Sequence, residues 1–276
     1  QIAYHTFGTL SAAKDNVIWV CHALTANSDV ADWWPHTVEA GRFLDPTRYF
    51  IVCANILGSC YGTTGPASVR PETGEPWYGD FPKVTVRDMV HAHQLLARAL
   101  GIEQVQLLIG ASIGGFQALQ WAVEEPQFAK RFAFIATGMR CTPWIAAFNE
   151  SQRMAMELDP TLGERIAEAG QDGMAVARSI ALLSYRGGAA YNLSQADTEA
   201  PYLQGGEGES FDSERVFRHR VQSYQRYQGE KLRRRFNAYS YLRMMDAVDS
   251  HYIPDGEPIH TPTLVVAISS ALLFTP

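Results

Sequence analysis

Residues 110–117, GASIGGFQ, carry the pattern Gly-x-Ser-x-Gly at Gly110, Ser112 and Gly114. The apolar run before it, residues 105–110, predicts a buried strand. The residues after it, 114–125, predict a helix that ends before Pro126. A strand, this turn and a helix would hold the Ser112 hydroxyl at the carboxyl edge of a parallel sheet. The pattern therefore predicts a serine nucleophile, with an ordinary structural turn as the alternative.

Short apolar runs alternate with helical patterns through the first half of the chain. The opening residues 1–10 predict a strand. Further strands are predicted at residues 17–24, 49–55, 131–137 and 261–268. A helix is predicted over residues 86–102, with Thr85 as its N-cap and Asp88 three residues later. This alternation is typical of a mostly parallel sheet flanked by helices.

The alternation of strands and helices stops after Met139, where about a hundred residues show helical periodicity and no clear strand. Helical patterns are seen at residues 144–158, 174–186 and 213–228, and the glycine-rich residues 205–210 predict an exposed loop. We expect an α/β-hydrolase fold with an inserted all-helical lid. The predicted core is 1–139 and 246–276, expected to be incomplete at both ends, and the predicted lid is 140–245.

Two backbone N–H groups are candidates for stabilising negative charge beside Ser112. Ile113 follows the serine directly, and its N–H belongs to the first turn of a helix. The second donor in this fold comes from the loop after an early strand, which makes Leu24 the candidate. His22 precedes Leu24 but stands too early in the chain for the catalytic base. We predict that His22 packs or fixes the loop.

The acid and the base of a catalytic triad are not evident. In this fold the acid follows a late strand and the histidine follows the acid. The residues after the predicted strand 261–268 contain no Asp or Glu, and no histidine occurs after His260. The sequence therefore shows a nucleophile without visible partners.

Composition excludes several classes of function. The net charge is −6, so nucleic acid and anionic membranes are not expected partners. No apolar run reaches the length of a membrane span, and no signal peptide opens the chain. The four cysteines have no metal-ligand spacing, so we predict a reduced, cytoplasmic protein with no metal. The densest basic cluster, residues 231–235, is predicted to be a solvated helix face.

Five segments, in order along the chain, resemble the homoserine O-acetyltransferases. They are HALTANSDVADWW (22–34), ANILGSCYGTTGP (54–66), GASIGGFQALQWA (110–122), ARSIALLSYR (177–186) and YQGEKLRRRFNAYSYLRMMDAVD (227–249). The resemblance implies transfer of an acetyl group from acetyl-CoA to L-homoserine, in methionine biosynthesis, by a ping-pong mechanism. It implies acetyl-CoA as a substrate, no bound cofactor, and a homodimer formed through the lid helices.

The same resemblance implies roles for individual residues. Ser112 would be the acylated nucleophile, with Leu24 and Ile113 as the oxyanion donors. Arg178 and Tyr185 would hold the amino-acid carboxylate, and an Arg fork suits that group. Two weaker candidates for binding substrate occupy loops at strand ends: Thr25 and Asn55.

The chain also departs from the family. Relatives carry an aspartate where this chain has Ala271, and their histidine lies in a later Gly-His-Asp motif that this sequence lacks. An incomplete sequence, a replaced aspartate and a degenerate homologue all remain open. Homoserine or serine O-succinyltransferase, an esterase of the same fold and a non-catalytic homologue are the alternative functions.

Overall fold

The elements follow the alternation that the sequence predicts. A computed structural model describes residues 1–197, 219–256 and 258–275. Its strands are β1 (Tyr4–Phe7), β2 (Val17–Cys21), β3 (Phe50–Ala54), β4 (Leu107–Ala111), β5 (Phe132–Ile135) and β6 (Thr263–Val266). Its helices are α1 (Val30–Trp33), α2 (Val86–Ala99), α3 (Ile113–Glu124), α4 (Pro143–Glu157), α5 (Gln171–Ser184), α6 (Gly188–Ser194), α7 (Arg220–Arg233) and α8 (Ala238–Asp249).

The strands form one mostly parallel sheet in the order β1-β3-β2-β4-β5-β6. Only β1 is antiparallel, to β3, and the other neighbouring pairs are parallel. In the register of β2 with β4, Cys21 is the partner of Gly110. The loop after β2 and the turn after β4 therefore leave the sheet side by side at its carboxyl edge.

The strand side chains alternate between two apolar layers, as a buried sheet requires. Val17, Trp19 and Cys21 of β2 pack with Trp121 of α3 on one face. The intervening Ile18 and Val20 pack with other apolar residues, among them Val30 and Leu44, on the opposite face. Helices α2 and α3 thus cover one side of β2, and the segment around α1 covers the other.

Side-chain caps mark the start of two helices, of which the cap of α2 was predicted; α2 ends at Ala99 rather than at residue 102. Thr85 accepts a hydrogen bond from the Asp88 N–H, and the Asp88 side chain accepts one from the Thr85 N–H, which completes the predicted capping box. Thr142 caps α4, where Pro143 is the first residue. The predicted strands exist but are shorter: β2 ends at Cys21 rather than at residue 24.

The helices α4 to α8 lie between β5 and β6 in the chain, as predicted for an insertion. The predicted boundary at 245/246 falls inside α8, so the helical segment continues to Asp249. The glycine-rich residues 205–210 and the first part of the predicted helix 213–228 lie outside the described residues.

A second apolar core joins this helical segment to the end of the sheet. Ile113 and Phe116 at the start of α3 pack with Ile145 of α4, Met174 of α5 and Met244 of α8. All five side chains are at most 3% exposed. The helical segment therefore packs directly over the turn that carries Ser112.

Candidate active site

Ser112 occupies the sharp turn between β4 and α3. Its backbone has φ 57° and ψ −126°, in the positive-φ region that non-glycine residues rarely adopt. The Ser112 N–H donates to the Ile135 carbonyl (3.1 Å), and the Thr137 hydroxyl donates to the Ser112 carbonyl (2.9 Å). Contacts from the last residue of β5 and from the second residue beyond it thus hold the strained conformation that a nucleophile elbow requires.

The glycines around Ser112 are required by close backbone approach. A Cβ on Gly110 would collide with the backbone of Gly114, and a Cβ on Gly114 would collide with the carbonyl oxygens of Cys21 and His22. A Cβ on Gly115 would lie 2.5 Å from the side chain of Thr137. The motif therefore brings the start of α3 against the end of β2.

Leu24 and Ile113 are brought to the same edge of the sheet. Leu24 lies three residues beyond the end of β2, Ile113 begins α3, and both side chains belong to the second apolar core. In the part of the chain that the structure describes, neither backbone N–H has an intramolecular acceptor. Both donors are thus available to an oxyanion, although that role stays a prediction.

His22 fixes the loop, as the sequence predicts. Its side chain is 0% exposed, its Nδ1 lies 2.8 Å from the Ala23 carbonyl, and its Nε2 lies 3.2 Å from the Ile56 nitrogen. Burial lowers the pKa of His22 from 6.5 to about 4, partly offset by the bond to Ala23. The ring is therefore neutral at pH 7 and ties the loop after β2 to the loop after β3.

The side chains of Asn55 and Thr25 differ in whether they are free to bind substrate. The Asn55 amide donates to the Ser28 hydroxyl (2.7 Å) and to the Tyr61 carbonyl (2.8 Å), and its oxygen accepts from the Ser28 N–H (2.8 Å). Both of its amide protons are thus used in hydrogen bonds within the protein. Its role in binding substrate stays a prediction. The Thr25 carbonyl accepts from the Arg235 guanidinium at 2.6 Å, and its half-buried side chain stays a candidate.

Arg178 and Tyr185 meet at the carboxyl-terminal end of α5. The Arg178 guanidinium carbon lies 5.6 Å from the centroid of the Tyr185 ring. Desolvation raises the pKa of Tyr185, and the Arg178 charge partly opposes that rise. Nearby, the fully buried Tyr241 donates to the Gln152 oxygen at 2.5 Å, and the Arg178 charge opposes the rise of its pKa as well. One cation and two phenols therefore share this part of the helical segment.

Ala271 lies in the loop after β6, at the edge of the sheet that also carries Ser112. It is half-buried, and its N–H closes a turn on the Ile268 carbonyl (2.9 Å). The residues beside it contact the helical segment: the Trp144 indole donates to the Leu272 carbonyl (2.6 Å), and the Leu273 N–H donates to the Ser184 carbonyl (3.1 Å). The position predicted for the triad acid is thus placed by the fold, but its methyl group can accept no proton.

A base for Ser112 is not found within the described ranges, where no hydrogen bond links a histidine to its hydroxyl. His251 packs against α3, where its ring stacks on Phe116 with the ring centroids 4.1 Å apart. It is 4% exposed, and burial lowers its pKa to about 4. The His251 Nε2 has no hydrogen-bond partner there. His251 is therefore a buried ring packed on Phe116, without a hydrogen bond to the Ser112 hydroxyl in the described residues.

Arg235 is the site contact that sequence reasoning missed. Lys231, Arg234 and Arg235 of the basic cluster 231–235 are exposed, as predicted, but α7 ends at Arg233, so the cluster is not one helix face. Arg235 lies in the connection to α8 and bonds both the Thr25 carbonyl and the Tyr61 hydroxyl. The aromatic Phe236 next to it was the available signal, because a buried residue there turns the chain inward.

Two classes of site are not seen in the described residues. No group of three or more His, Cys, Asp or Glu side chains there could hold a metal ion. Within the same ranges, every helix is too short or too polar to cross a bilayer.

Known proteins resemble this chain along its whole length. The model of the α/β-hydrolase fold family matches residues 16–276. A homoserine O-acetyltransferase of Cyclobacterium marinum is 41% identical over 283 residues, covering 100% of this chain and 77% of that protein. One from Moorella thermoacetica is 41% identical over 300 residues, with the same coverage of each chain.

Solved structures share the fold at lower identity. The crystal structure of a homoserine O-acetyltransferase from Bacillus anthracis superposes with a TM-score of 0.83 at 22% identity, covering 99% of this chain and 79% of that one. Such identity shows the fold alone. The two relatives described above are 41% identical over the whole chain, which shows the family as well as the fold. This chain belongs to the homoserine O-acetyltransferase family of α/β-hydrolase-fold proteins.

Proposed function

We propose that this protein transfers an acetyl group from acetyl-CoA to the hydroxyl of L-homoserine, in methionine biosynthesis. The observation that carries the proposal is the strained Ser112 at the start of α3, beside the free N–H groups of Leu24 and Ile113. This arrangement is the one that acyl transfer through a serine needs. Acetyl-CoA enters as a substrate, and no bound cofactor is required.

The reaction proceeds in two half-reactions. The Ser112 oxygen attacks the thioester carbonyl, and the resulting oxyanion accepts hydrogen bonds from the Leu24 and Ile113 N–H groups. Collapse expels the CoA thiolate, which takes up the proton that the Ser112 hydroxyl lost, and leaves acetyl-Ser112. The homoserine hydroxyl then attacks this ester, losing its proton as the Ser112 oxygen regains one. The products are O-acetylhomoserine and free enzyme.

Arg178 and Tyr185 give the acceptor its orientation. The planar guanidinium can bind the homoserine carboxylate through two parallel hydrogen bonds, and a phenol with a raised pKa remains a donor. Helices α4 to α8 would form a lid over Ser112, since apolar side chains of α4, α5, α7 and α8 share a core with Ile113 and Phe116. A lid that excludes water would protect the acyl-enzyme from hydrolysis. Pairing of two chains through these helices, and a cytoplasmic location, belong to the same proposal.

A second candidate function is ligand binding without turnover. Ala271 supplies no carboxylate, and loss of the triad acid in a serine enzyme lowers kcat by about 10⁴-fold. A non-catalytic homologue would bind homoserine through Arg178 and form no acyl-enzyme. The two candidate functions are distinguished by whether an ester bond forms between the acetyl group and Ser112.

Intact-protein mass spectrometry before and after incubation with acetyl-CoA tests the choice. We expect one added acetyl group, its absence in Ser112→Ala, and its removal by L-homoserine with formation of O-acetylhomoserine. Acetylation that water removes as fast as homoserine does would favour an esterase. Acetylation retained in Ser112→Ala would disprove the nucleophile assignment. Homoserine binding without acetylation would select the non-catalytic homologue, and succinyl-CoA in place of acetyl-CoA tests the donor.

A further inference from the structure

The buried His22 has hydrogen-bond partners that determine which ring nitrogen carries its proton. The Ile56 N–H can only donate, so Nε2 must accept, and the Ala23 carbonyl can only accept, so Nδ1 must donate. The ring is 0% exposed, which disfavours a second proton. His22 is therefore neutral, with its single proton on Nδ1.

The Ala23 carbonyl and the Leu24 N–H belong to the same peptide group. A trans peptide is planar, and its C=O and N–H point in opposite directions. A hydrogen bond that holds the Ala23 oxygen toward His22 consequently directs the Leu24 N–H to the other side of the loop. The Ala26 N–H also donates to the Ala23 oxygen (3.0 Å), so this oxygen is held from two directions.

The loop and the elbow are tightly packed at this point. The carbonyl of His22 lies so close to Gly114 that a Cβ there would be 2.8 Å away. The residues of the loop thus lie against the first turn of α3, which carries the Ile113 N–H. A rotation of the Ala23–Leu24 peptide would change the direction of one oxyanion donor relative to the other.

We propose that His22 is a positioning residue for acyl transfer, which orients the Leu24 N–H toward the oxyanion by binding the Ala23 carbonyl. The proposal rests on the acyl-transfer function proposed above. The hydrogen bonds form a chain from the Ile56 N–H through the imidazole and the Ala23–Leu24 peptide to the reacting oxygen. A donor on the carbonyl also polarises the peptide, which strengthens its N–H as a donor. His22 itself touches no reacting atom.

Two substitutions separate the two hydrogen bonds of the ring. In His22→Asn the amide nitrogen replaces Nδ1 and can donate to Ala23, whereas nothing reaches the Ile56 N–H. In His22→Gln the amide oxygen replaces Nε2 and can accept from Ile56, whereas the Ala23 carbonyl loses its donor. His93→Gln is the matched control, since His93 is also 0% exposed but its ring packs beside the contacting indoles of Trp19 and Trp121.

The measurement is the rate of Ser112 acetylation at increasing acetyl-CoA concentration, on protein shown to be folded by its melting transition. We expect His22→Gln to lower the maximal rate about 10- to 100-fold, a large part of the effect of removing an oxyanion donor. The half-saturating acetyl-CoA concentration should stay within about twofold, because the defect lies in the transition state. His22→Asn and His93→Gln should stay within about threefold of the unaltered rate. Equal losses in His22→Gln and His22→Asn, or an equal loss in His93→Gln, would overturn the proposal.

A second measurement needs no substitution. Nitrogen-15 NMR of histidine-labelled protein at pH 7 should show Nδ1 of His22 protonated and Nε2 unprotonated. The opposite tautomer, or an imidazolium, would refute the hydrogen-bond chain. This result is independent of catalysis: a protein that acetyl-CoA fails to acetylate would disprove the proposed function, whereas normal acetylation of His22→Gln would disprove this inference alone.

Discussion

Gly114→Ala tests whether the elbow and the loop after β2 form one rigid unit. A Cβ at residue 114 would lie 2.8 Å from the His22 carbonyl oxygen and closer still to that of Cys21. The two segments would have to separate by about 1 Å to reach the roughly 3.3 Å of an ordinary C···O contact. Neither segment can yield easily, because Cys21 pairs with Gly110 in the sheet and Gly114 lies inside the first turn of α3.

Overpacking of this kind costs about 1–3 kcal/mol of unfolding free energy, which for a chain of this size corresponds to a fall in Tm of about 2–10 °C. The loss of activity should be larger, since a misplacement of about 1 Å at a reacting centre can reduce the rate about 100-fold. The two displaced segments carry the proposed oxyanion donors, the N–H groups of Leu24 and Ile113.

Differential scanning calorimetry and the rate of Ser112 acetylation measure the two effects. Gly188→Ala is the control, because a Cβ there meets no atom within 4 Å. Replacing that helical glycine by alanine should raise the unfolding free energy by at most about 1 kcal/mol, so Tm should stay unchanged or rise slightly. If Gly114→Ala kept both the Tm and the acetylation rate of the unaltered protein, the close approach of loop and helix would be wrong.

Three further predictions address the helical segment and the response to acid. Arg178→Ala should raise the KM for homoserine at least about tenfold by removing a charge-assisted bidentate contact, whereas Arg186→Ala, one residue past Tyr185, should not; an unchanged KM in Arg178→Ala would remove it from the site. Arg235→Ala should slow acetylation about fivefold by releasing the Thr25 carbonyl, a modest effect because the side chain is exposed. Arg234→Ala is its control, because the Arg234 side chain pairs with Glu230 of α7, and equal rates in the two variants would contradict the prediction. Burial lowers the pKa of three histidines from 6.5 to about 4, 3 and 4: His22, His93 and His251. Between pH 6.5 and about 4 the unfolded chain binds these protons and the folded chain does not, so stability should fall by about 2 kcal/mol for each histidine from pH 7 to pH 5. Urea unfolding at the two pH values measures this fall, and equal midpoints would show that the three rings are accessible to protons in the folded state.

Features that depend on near neighbours in the chain could be read directly from the residues. The Ser112 elbow needs a strand, a glycine pattern and a helix in succession, and all three are contiguous. The capping box of Thr85 and Asp88 spans one helical turn. Backbone sterics and hydrogen bonds over a few residues make both patterns recognisable without knowledge of distant segments, although Ile135 and Thr137 help to hold the elbow.

Features that join distant residues were decided by the tertiary structure. The sequence placed His22 in the loop after β2, but only the fold brings the Ile56 N–H to its Nε2 and thereby selects the tautomer. Arg235 is exposed like its neighbours Lys231 and Arg234, yet it contacts a carbonyl 210 residues away, which the basic cluster does not predict. Long-range contacts follow from burial of apolar faces across the whole chain, which leaves no local pattern at either partner. The chemistry of Ser112 is thus local in origin, while the orientation of the groups around it is a property of the folded molecule.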